Sequence, residues 1–195
     1  RKDRNVQGNR EVVVAYNPRA GTGAGRPLIE SLRKLIGERG YQPVMMDSLE
    51  ELKTHAATRA DSIQAVVSAG GDGTVEAVVK ATQGKLPVAI FPLGTENLLA
   101  KYLKLKADPK KTLDMIALNR RIQFDAGMAN SEIFSIMLSV GFDADVVRRV
   151  HDQRRGNITH LAYAKPILQS IWNYNYPRLQ VEWLDGSDWK QIDCH

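Results

Sequence analysis

Short apolar runs rich in β-branched residues alternate with helix-patterned stretches over residues 11–91, and this alternation constrains the fold more than any other feature. The first run, EVVVAY, has almost no polar interruption, as expected for a strand buried on both faces. Such runs separated by helices are typical of βαβ units, so the sequence predicts an α/β fold with a parallel sheet. The strands are predicted at Glu11–Tyr16, Gln42–Met46, Ala65–Ser68 and Val88–Phe91, and the helices between them at Pro27–Arg39, Leu49–Arg59 and Val75–Thr82.

The pattern changes after Arg120, where we place the boundary between a first domain, residues 1–120, and a second domain, residues 121–195. A hairpin that pairs with no further strand makes a poor sheet, because three or more strands are usually needed for stability. The second domain, whose strands form only hairpins, is therefore expected to be incomplete. Before the boundary, helices are predicted near Leu98–Leu103 and Lys110–Leu118. After it we predict one hairpin from Ile122–Ala129 and Ile133–Val140, helices near Ala144–Val150 and Thr159–Trp172, and a second hairpin from Arg178–Leu184 and Trp189–Asp193.

Three loops leave the predicted sheet at the carboxyl ends of its strands, the edge where open α/β sheets bind ligands. The first loop, NPRAGTGAG at Asn17–Gly25, contains three glycines, of which Gly21 is the first. Glycine-rich backbone before a helix can offer N–H groups to an anion. The loop lacks the Gly-Lys-Ser/Thr of a P-loop and the spacing of a dinucleotide fingerprint, so a plain strand-to-helix turn stays the alternative.

The second loop, GGDGT at Gly70–Thr74, is more specific, because a turn needs one glycine and this loop has three. Its glycines would let a ligand lie against the backbone. The carboxylate of Asp72 is placed to bind Mg²⁺, directly or through water, or to accept a hydrogen bond from a ribose hydroxyl. Thr74 is placed to cap the next helix or to bind a phosphate. The alternative is a capped turn in which Asp72 bonds to the backbone.

The third loop, PLGTEN at Pro92–Asn97, supplies Thr95 and Asn97 as short polar groups near a helix start. By themselves these residues are equally consistent with a helix N-cap. Together the three loops predict a phosphate cradle with one exposed carboxylate and no nucleophile–base pair. Such a site suits phosphoryl transfer, which needs mainly positioning and charge neutralisation.

In this order, the three loops resemble those of the diacylglycerol/sphingosine lipid-kinase family, bacterial members included. The family's Asn-Pro-x-x-Gly loop is matched at Asn17–Gly21, its Gly-Gly-Asp-Gly-Thr loop at Gly70–Thr74 and its Pro-Leu-Gly-Thr-x-Asn loop at Pro92–Asn97. A Gly-Phe-Asp-Ala stretch of its second domain is matched at Gly141–Ala144. The resemblance runs from about residue 11 to about residue 184, although Gly-Gly-Asp-Gly alone is shared with NAD kinases and phosphofructokinases.

The resemblance implies a nucleotide-binding α/β domain of the NAD kinase/diacylglycerol kinase type, followed by the start of a β-rich sandwich domain on the lipid-substrate side. It implies an ATP-dependent lipid kinase that phosphorylates the hydroxyl of diacylglycerol, a sphingoid base or a related lipid. Asp72 would organise Mg²⁺ through ATP, and Asp143 and Asp145 would face the lipid headgroup, with helix capping as their alternative role. The implied cofactor-binding residues are Asn17, Gly21, Gly70, Gly71, Asp72, Gly73, Thr74, Glu76, Thr95 and Asn97.

The sequence departs from the family pattern in ways that bear on activity. The usual Gly-Thr-Gly-Asn is Gly94-Thr95-Glu96-Asn97 here, and a glutamate beside ATP phosphates is repulsive unless it points away or joins a metal. The family often has Asn-Glu in the helix after Thr74, where this chain has Glu76-Ala77. The family's general base, an acidic residue late in the second domain, has no matching position in these 195 residues. Because a lipid hydroxyl must lose its proton to a base, this chain alone is expected to be weakly active or inactive.

Charge and cysteine content set the expected surroundings. The chain has a net charge of +5 and one cysteine, and no apolar run approaches the ~18 residues of a membrane span. We expect a cytoplasmic protein that attaches peripherally to membranes through surface near Arg148, Arg149 and Leu161. No nucleic-acid-binding motif is recognisable, and the oligomeric state stays open, with a homodimer as one option. Two alternatives remain: a non-catalytic nucleotide-binding module (a pseudokinase), which Glu96 favours, and a soluble-substrate kinase of the NAD type.

Overall fold

A computed structural model describes residues 10–17, 25–130, 132–152 and 164–194 of the chain, which divides into two compact units, Arg1–Ile136 and Met137–His195. The strands of the first unit are β1 (Glu11–Tyr16), β2 (Gln42–Met46), β3 (Ile63–Gly70), β4 (Val88–Pro92), β5 (Gly127–Ala129) and β6 (Glu132–Phe134). Its helices are α1 (Gly25–Glu38), α2 (Leu49–Arg59), α3 (Asp72–Thr82), α4 (Leu98–Tyr102) and α5 (Pro109–Leu118). The second unit contains α6 (Phe142–Asp152), α7 (Ala164–Asn173), β7 (Leu179–Asp185) and β8 (Asp188–Cys194).

The strands β1 to β4 form a parallel sheet in the order β2-β1-β3-β4. All 8 residues of β3 are buried, as the apolar sequence of a central parallel strand predicts. Val13 of β1 lies level with Val44 on one side and with Val66 on the other. This order places the carboxyl ends of β1, β3 and β4 next to one another. The predicted α/β class is confirmed.

Helices cover both faces of this sheet, because successive strand side chains point to opposite faces. Val12 and Val14 of β1 point toward α1 and α5, whereas Val13 and Ala15 point toward α2 and α3. The buried residues of the first face are Val12, Val14, Leu32, Ile36, Tyr41, Ala65, Val67, Ala69, Phe91, Leu113 and Ile116. Those of the second face are Val13, Ala15, Met46, Leu52, Ile63, Val66 and Val78.

The starts of the helices in the first unit differ in how they are capped. The side chain of Ser48 accepts a hydrogen bond from the first turn of α2, and the carboxylate of Asp108 does the same for α5. By contrast, α3 begins at Asp72, three residues before the predicted Val75, and its N-cap is Gly71, which has no side chain to accept a bond. The second loop is therefore shorter than predicted, and its helix starts without a side-chain cap.

The hairpin of β5 and β6 is much shorter than the predicted stretches Ile122–Ala129 and Ile133–Val140, since only three residue pairs form. Residues 121–126 are exposed, and a two-stranded ribbon without a packed face is marginally stable. Lys80 of α3 donates a hydrogen bond to Glu132 of β6, and the hairpin groups with the first unit. The two compact units divide at Ile136, and the domain boundary at residue 120 stays a prediction.

The second unit pairs α6 with α7 and joins β7 to β8 in an antiparallel hairpin. Gly186 turns this hairpin with a φ of 67°, in agreement with the predicted Asp185-Gly186 turn. An aromatic cluster of Phe142, Tyr174 and Tyr176 lies near the start of α6. Among the described residues no helix is long and apolar enough to cross a bilayer.

Candidate functional site

The second and third loops meet at the carboxyl edge of the parallel sheet. Gly70 at the end of β3 lies level with Pro92 at the end of β4, and the N–H of Leu93 donates to the carbonyl of Gly70 at 2.9 Å. Tyr16 ends β1 beside β3, so the exposed Asn17 follows at the same edge. The strand order therefore brings together segments that are far apart in the sequence.

Two glycines are required by the packing within and between these loops. A Cβ atom on Gly94 would lie 2.4 Å from the Cα atom of Gly71, well inside van der Waals contact. A Cβ atom on Gly70 would lie 2.2 Å from Oγ1 of Thr74. The backbones of the two loops touch only because Gly94 has no side chain, while the missing side chain of Gly70 leaves room for that of Thr74. Packing alone accounts for glycine at Gly70 and Gly94.

Gly73 has no such packing reason. Apart from its chain neighbours and the backbone of its own helix, no atom of the described residues lies within 4 Å of the Cβ atom that a larger residue would have there, and its φ is not positive. The residue is exposed in the first turn of α3, the helix that lacks a side-chain cap. The N–H groups of Thr74 and Val75 donate to the carbonyl of Gly71. Those of Asp72 and Gly73 come earlier in the turn and have no intrahelical carbonyl to bond. An open glycine beside these donors leaves room for an anionic group to lie against the backbone.

The carboxylate of Asp72 reaches across to the third loop. Its Oδ2 accepts a hydrogen bond from the N–H of Leu98 at 2.9 Å, and its Oδ1 accepts from the N–H of Leu99 at 3.2 Å. Asp72 therefore caps α4, which is the backbone-bonded alternative for this side chain. A carboxylate has about four lone-pair positions, so two neutral donors leave both its charge and part of its acceptor capacity. The side chain is half-buried, and its predicted role toward Mg²⁺ stays a prediction.

Asn97 closes the third loop on itself. Its Nδ2 donates to the carbonyl of Gly94 at 2.6 Å, and its Oδ1 accepts from the N–H of Gly94 at 3.0 Å. Its φ of 50° is left-handed, a conformation that asparagine adopts more readily than most residues. Although Asn97 occupies the N-cap position of α4, its side chain does not cap that helix. The N–H groups of Leu98 and Leu99 are therefore left for Asp72.

Two glutamates near this edge are paired with lysines. Glu76 lies 3.7 Å from Nζ of Lys80, one helical turn away on α3. Glu96 lies 3.3 Å from Nζ of Lys101, a partner that the sequence analysis missed because a five-residue spacing is not a standard helical pairing. This cation offsets the charge of Glu96, so repulsion toward phosphates is weaker than the sequence suggested. Thr95 is exposed at the same edge.

Only the ends of the first loop can be placed, because residues 18–24, Gly21 among them, lie outside the described residues. Gly25 begins α1, and a Cβ atom there would lie 3.4 Å from Cδ1 of Leu93. The start of α1 thus contacts the third loop. This contact could not be predicted from the sequence, because it depends on the strand order.

In the second unit, Asp145 is buried while Asp143 is exposed in the same first turn of α6. Arg149 donates to Oδ2 of Asp145 at 2.6 Å and Arg148 donates to Oδ1 at 2.7 Å, while Oγ of Ser170 donates to Oδ2 at 2.9 Å. The bonds from Arg149 and then Arg148 hold the pKa of Asp145 at about 2, below the ordinary 3.8. Asp145 ties α6 to α7, and its role toward substrate stays a prediction.

Comparison with known proteins finds relatives for much of the chain. The family model described as Diacylglycerol kinase catalytic domain matches residues 11–129. A Streptococcus pneumoniae protein whose name includes the words lipid kinase is 30% identical over 139 residues, which cover 69% of this chain and 47% of that protein. The diacylglycerol kinase of Staphylococcus saprophyticus is 24% identical over 159 residues, or 78% of this chain and 47% of that protein. The chain thus spans about half the length of these curated relatives.

A solved structure supports the same fold. The crystal structure of a diacylglycerol kinase from Bacillus anthracis strain Sterne matches with a TM-score of 0.57 and covers 94% of this chain and 61% of that chain. The sequence identity is 16%, so this likeness concerns the fold alone.

Proposed function

The chain belongs to the diacylglycerol kinase catalytic-domain family, and from this membership we propose that it binds Mg·ATP at the carboxyl edge of its sheet and phosphorylates the hydroxyl of a lipid. The names of its relatives support a lipid acceptor, and one of them names diacylglycerol kinase. We propose diacylglycerol or a sphingoid base as the acceptor. Because such acceptors lie in a bilayer, peripheral attachment to a membrane is part of the proposal.

The observation that carries the nucleotide site is Gly73 at the uncapped start of α3. Packing requires glycine at Gly70 and Gly94, but no contact with the part of the chain that the structure describes requires it at Gly73. At this position an open space lies next to helix N–H donors, which favour an anion. A phosphate group bound there would use both features. The site therefore fits the phosphates of a nucleotide better than it fits a neutral ligand.

Asp72 is the residue that would hold Mg²⁺ through ATP. Its two bonds to the start of α4 fix the carboxylate in place without cancelling its charge. A carboxylate held in this way is ready to bind a hard cation, which prefers oxygen ligands. The metal ion would neutralise phosphate charge when bound.

The residues of this edge bind and orient the nucleotide, and we assign none of them as the base that accepts the proton of the lipid hydroxyl. A nucleotide-binding module without catalysis would use the same edge. Transfer of labelled phosphate to diacylglycerol or sphingosine in detergent micelles distinguishes a lipid kinase from such a module, whereas nucleotide binding alone does not.

Calorimetric titration with Mg·ATP tests the site through Gly73→Leu. The leucine side chain would occupy the open space, and leucine is a good helix former, so α3 should keep its stability. Gly37→Leu is the matched control, because Gly37 is also helical, in α1, and a Cβ atom there meets nothing within 4 Å. We expect Gly73→Leu to weaken Mg·ATP binding by about tenfold or more, and Gly37→Leu to bind as the unmodified chain does.

Thermal unfolding followed by circular dichroism should show both variants at least as stable as the unmodified chain. Equal Mg·ATP affinity in the two folded variants would contradict the placement of phosphates at Gly73.

A further inference from the structure

The helix α7 exposes its large apolar residues and buries two smaller ones. Pro166 and Ser170 are buried. The exposed apolar residues are Ile167, Leu168, Ile171 and Trp172. Their spacing of i, i+1, i+4 and i+5 places them on one side of the helix. We call these four residues the α7 strip. A helix in water normally buries such a strip, so its exposure indicates a surface that binds another molecule or a membrane.

A buried hydrogen bond sets this orientation. Oγ of Ser170 donates to the carboxylate of Asp145, which two arginines of α6 also bind. Leaving this hydroxyl or this carboxylate buried without partners would be costly. Rotation of α7 that hides the strip would break the bond from Ser170. The helix pair is therefore built to keep the strip outside.

The charges of this part of the chain favour an anionic partner. Residues 141–178 contain six arginines and lysines and three aspartates, and one of these aspartates, Asp145, is buried against two guanidinium groups. The side chain of Arg148 is 70% exposed, and its bond to Asp145 uses one of the five N–H donors of a guanidinium. Lys165 is exposed in the first turn of α7.

We propose that the α7 strip, together with Arg148, is a docking surface for an anionic lipid bilayer. The inference rests on the proposed lipid-kinase function, which requires contact with a bilayer, and it names the surface that makes this contact. The apolar side chains would enter the boundary between headgroups and acyl chains, with the ring of Trp172 at headgroup level. Arg148 would bind headgroup phosphates.

Co-sedimentation of the full chain with vesicles, without nucleotide, tests the apolar part. The vesicles contain phosphatidylcholine alone or phosphatidylcholine and phosphatidylglycerol in a three-to-one ratio. Trp172→Ala should weaken binding to the mixed vesicles by about tenfold, because a large apolar contact is lost. Trp189→Ala is the matched control, because the two tryptophans are 76% and 73% exposed in the same unit. This control should bind as the unmodified chain does.

Arg148→Gln tests the electrostatic part. It should weaken binding to the mixed vesicles by about fivefold and leave binding to phosphatidylcholine alone unchanged. Arg33→Gln is its control, because Arg33 also pairs with an acidic residue three positions earlier, Glu30. Near-ultraviolet circular dichroism checks that each variant keeps its fold.

Unchanged vesicle binding by Trp172→Ala would overturn the inference, as would equal losses in Trp172→Ala and Trp189→Ala. A dimer in sedimentation velocity that Trp172→Ala dissociates, without vesicle binding, would assign the strip to a second copy and also overturn it. If the chain binds Mg·ATP but does not bind vesicles, the result counts against this inference alone. Vesicle binding without Mg·ATP binding counts against the proposed function alone.

Discussion

Asp72 and Asp145 each lie in the first turn of a helix, and they differ in the groups that hold them. Asp72 accepts hydrogen bonds from two neutral backbone N–H groups and is half-buried. Asp145 is buried and accepts bonds from two guanidinium groups and one hydroxyl. The first carboxylate keeps its charge uncompensated, whereas the second has its charge more than balanced. A local sequence pattern shows an aspartate at a helix start in both cases.

The difference teaches that a carboxylate near a loop becomes a ligand only when its own hydrogen bonds leave its charge unbalanced and its oxygen atoms reachable. Asp72 meets that condition at the edge of the parallel sheet. Asp145 holds a helix pair together, and the exposed Asp143 beside it is the better candidate for contact with a lipid headgroup. The roles of Asp143 and Asp145 toward substrate stay predictions, and each residue can be tested separately.

The largest effect is expected where the loops that position Asp72 touch. Gly94→Ala should lower the free energy of unfolding of the first unit by about 3 kcal/mol, because the added Cβ atom would meet the backbone of Gly71 at 2.4 Å. Hydrogen exchange of the amides of β3 and β4, beside a urea titration, measures this loss. The control Gly73→Ala should be neutral or stabilise by up to about 1 kcal/mol. Equal stability of the two variants would mean that the loops do not pack as described.

The next effect separates the charge of Asp72 from its role as a cap. Asp72→Ala and Asp108→Ala each remove a carboxylate that accepts from the first turn of a helix, so each should cost about 1 kcal/mol of stability. Only Asp72→Ala should weaken Mg·ATP binding, by about tenfold in calorimetry. With a chelator present, binding of metal-free ATP should not weaken in Asp72→Ala, because an anion has been removed. Equal loss of Mg·ATP affinity in both variants would assign Asp72 to capping alone.

The smallest effect concerns Asp145, whose arginine partners are partly in water. Its pKa is lowered to about 2, so its contribution to stability is present above the ordinary value of 3.8 and is lost as the pH falls toward 2. Asp145→Asn should therefore unfold at a lower temperature than the unmodified chain at pH 7. The difference should shrink between pH 5 and pH 2.

Tryptophan fluorescence reports this unfolding selectively, because all 3 tryptophans lie in the second unit. Asp143→Asn is the control, since Asp143 is exposed in the same turn of α6. A temperature difference for Asp145→Asn that stays constant with pH would show that the carboxylate charge does not tie α6 to α7.

Much of the first unit could be predicted from sequence because its signals are local. The bounds of β1, β2 and α2 agree with prediction, since uninterrupted apolar runs and a Ser48 cap mark them. The hairpin of β5 and β6 was predicted too long, because an extended apolar pattern does not show whether a partner surface exists for each residue. The start of α3 was predicted late, because glycine and aspartate suggest a loop while the helix begins at Asp72.

The sequence by itself determined the parallel sheet and the residue types of its loops. Both depend on local patterns, because apolar runs indicate strands buried on both faces and the glycines of each loop are consecutive or nearly so. Only the tertiary structure decided what each glycine does. Gly94 packs against Gly71, whereas Gly73 meets no side chain of the described residues. This distinction depends on β4 lying beside β3. In the same way, the bond that Asp72 accepts from the N–H of Leu98, 26 residues further along the chain, exists only because the two loops leave neighbouring strands at one edge.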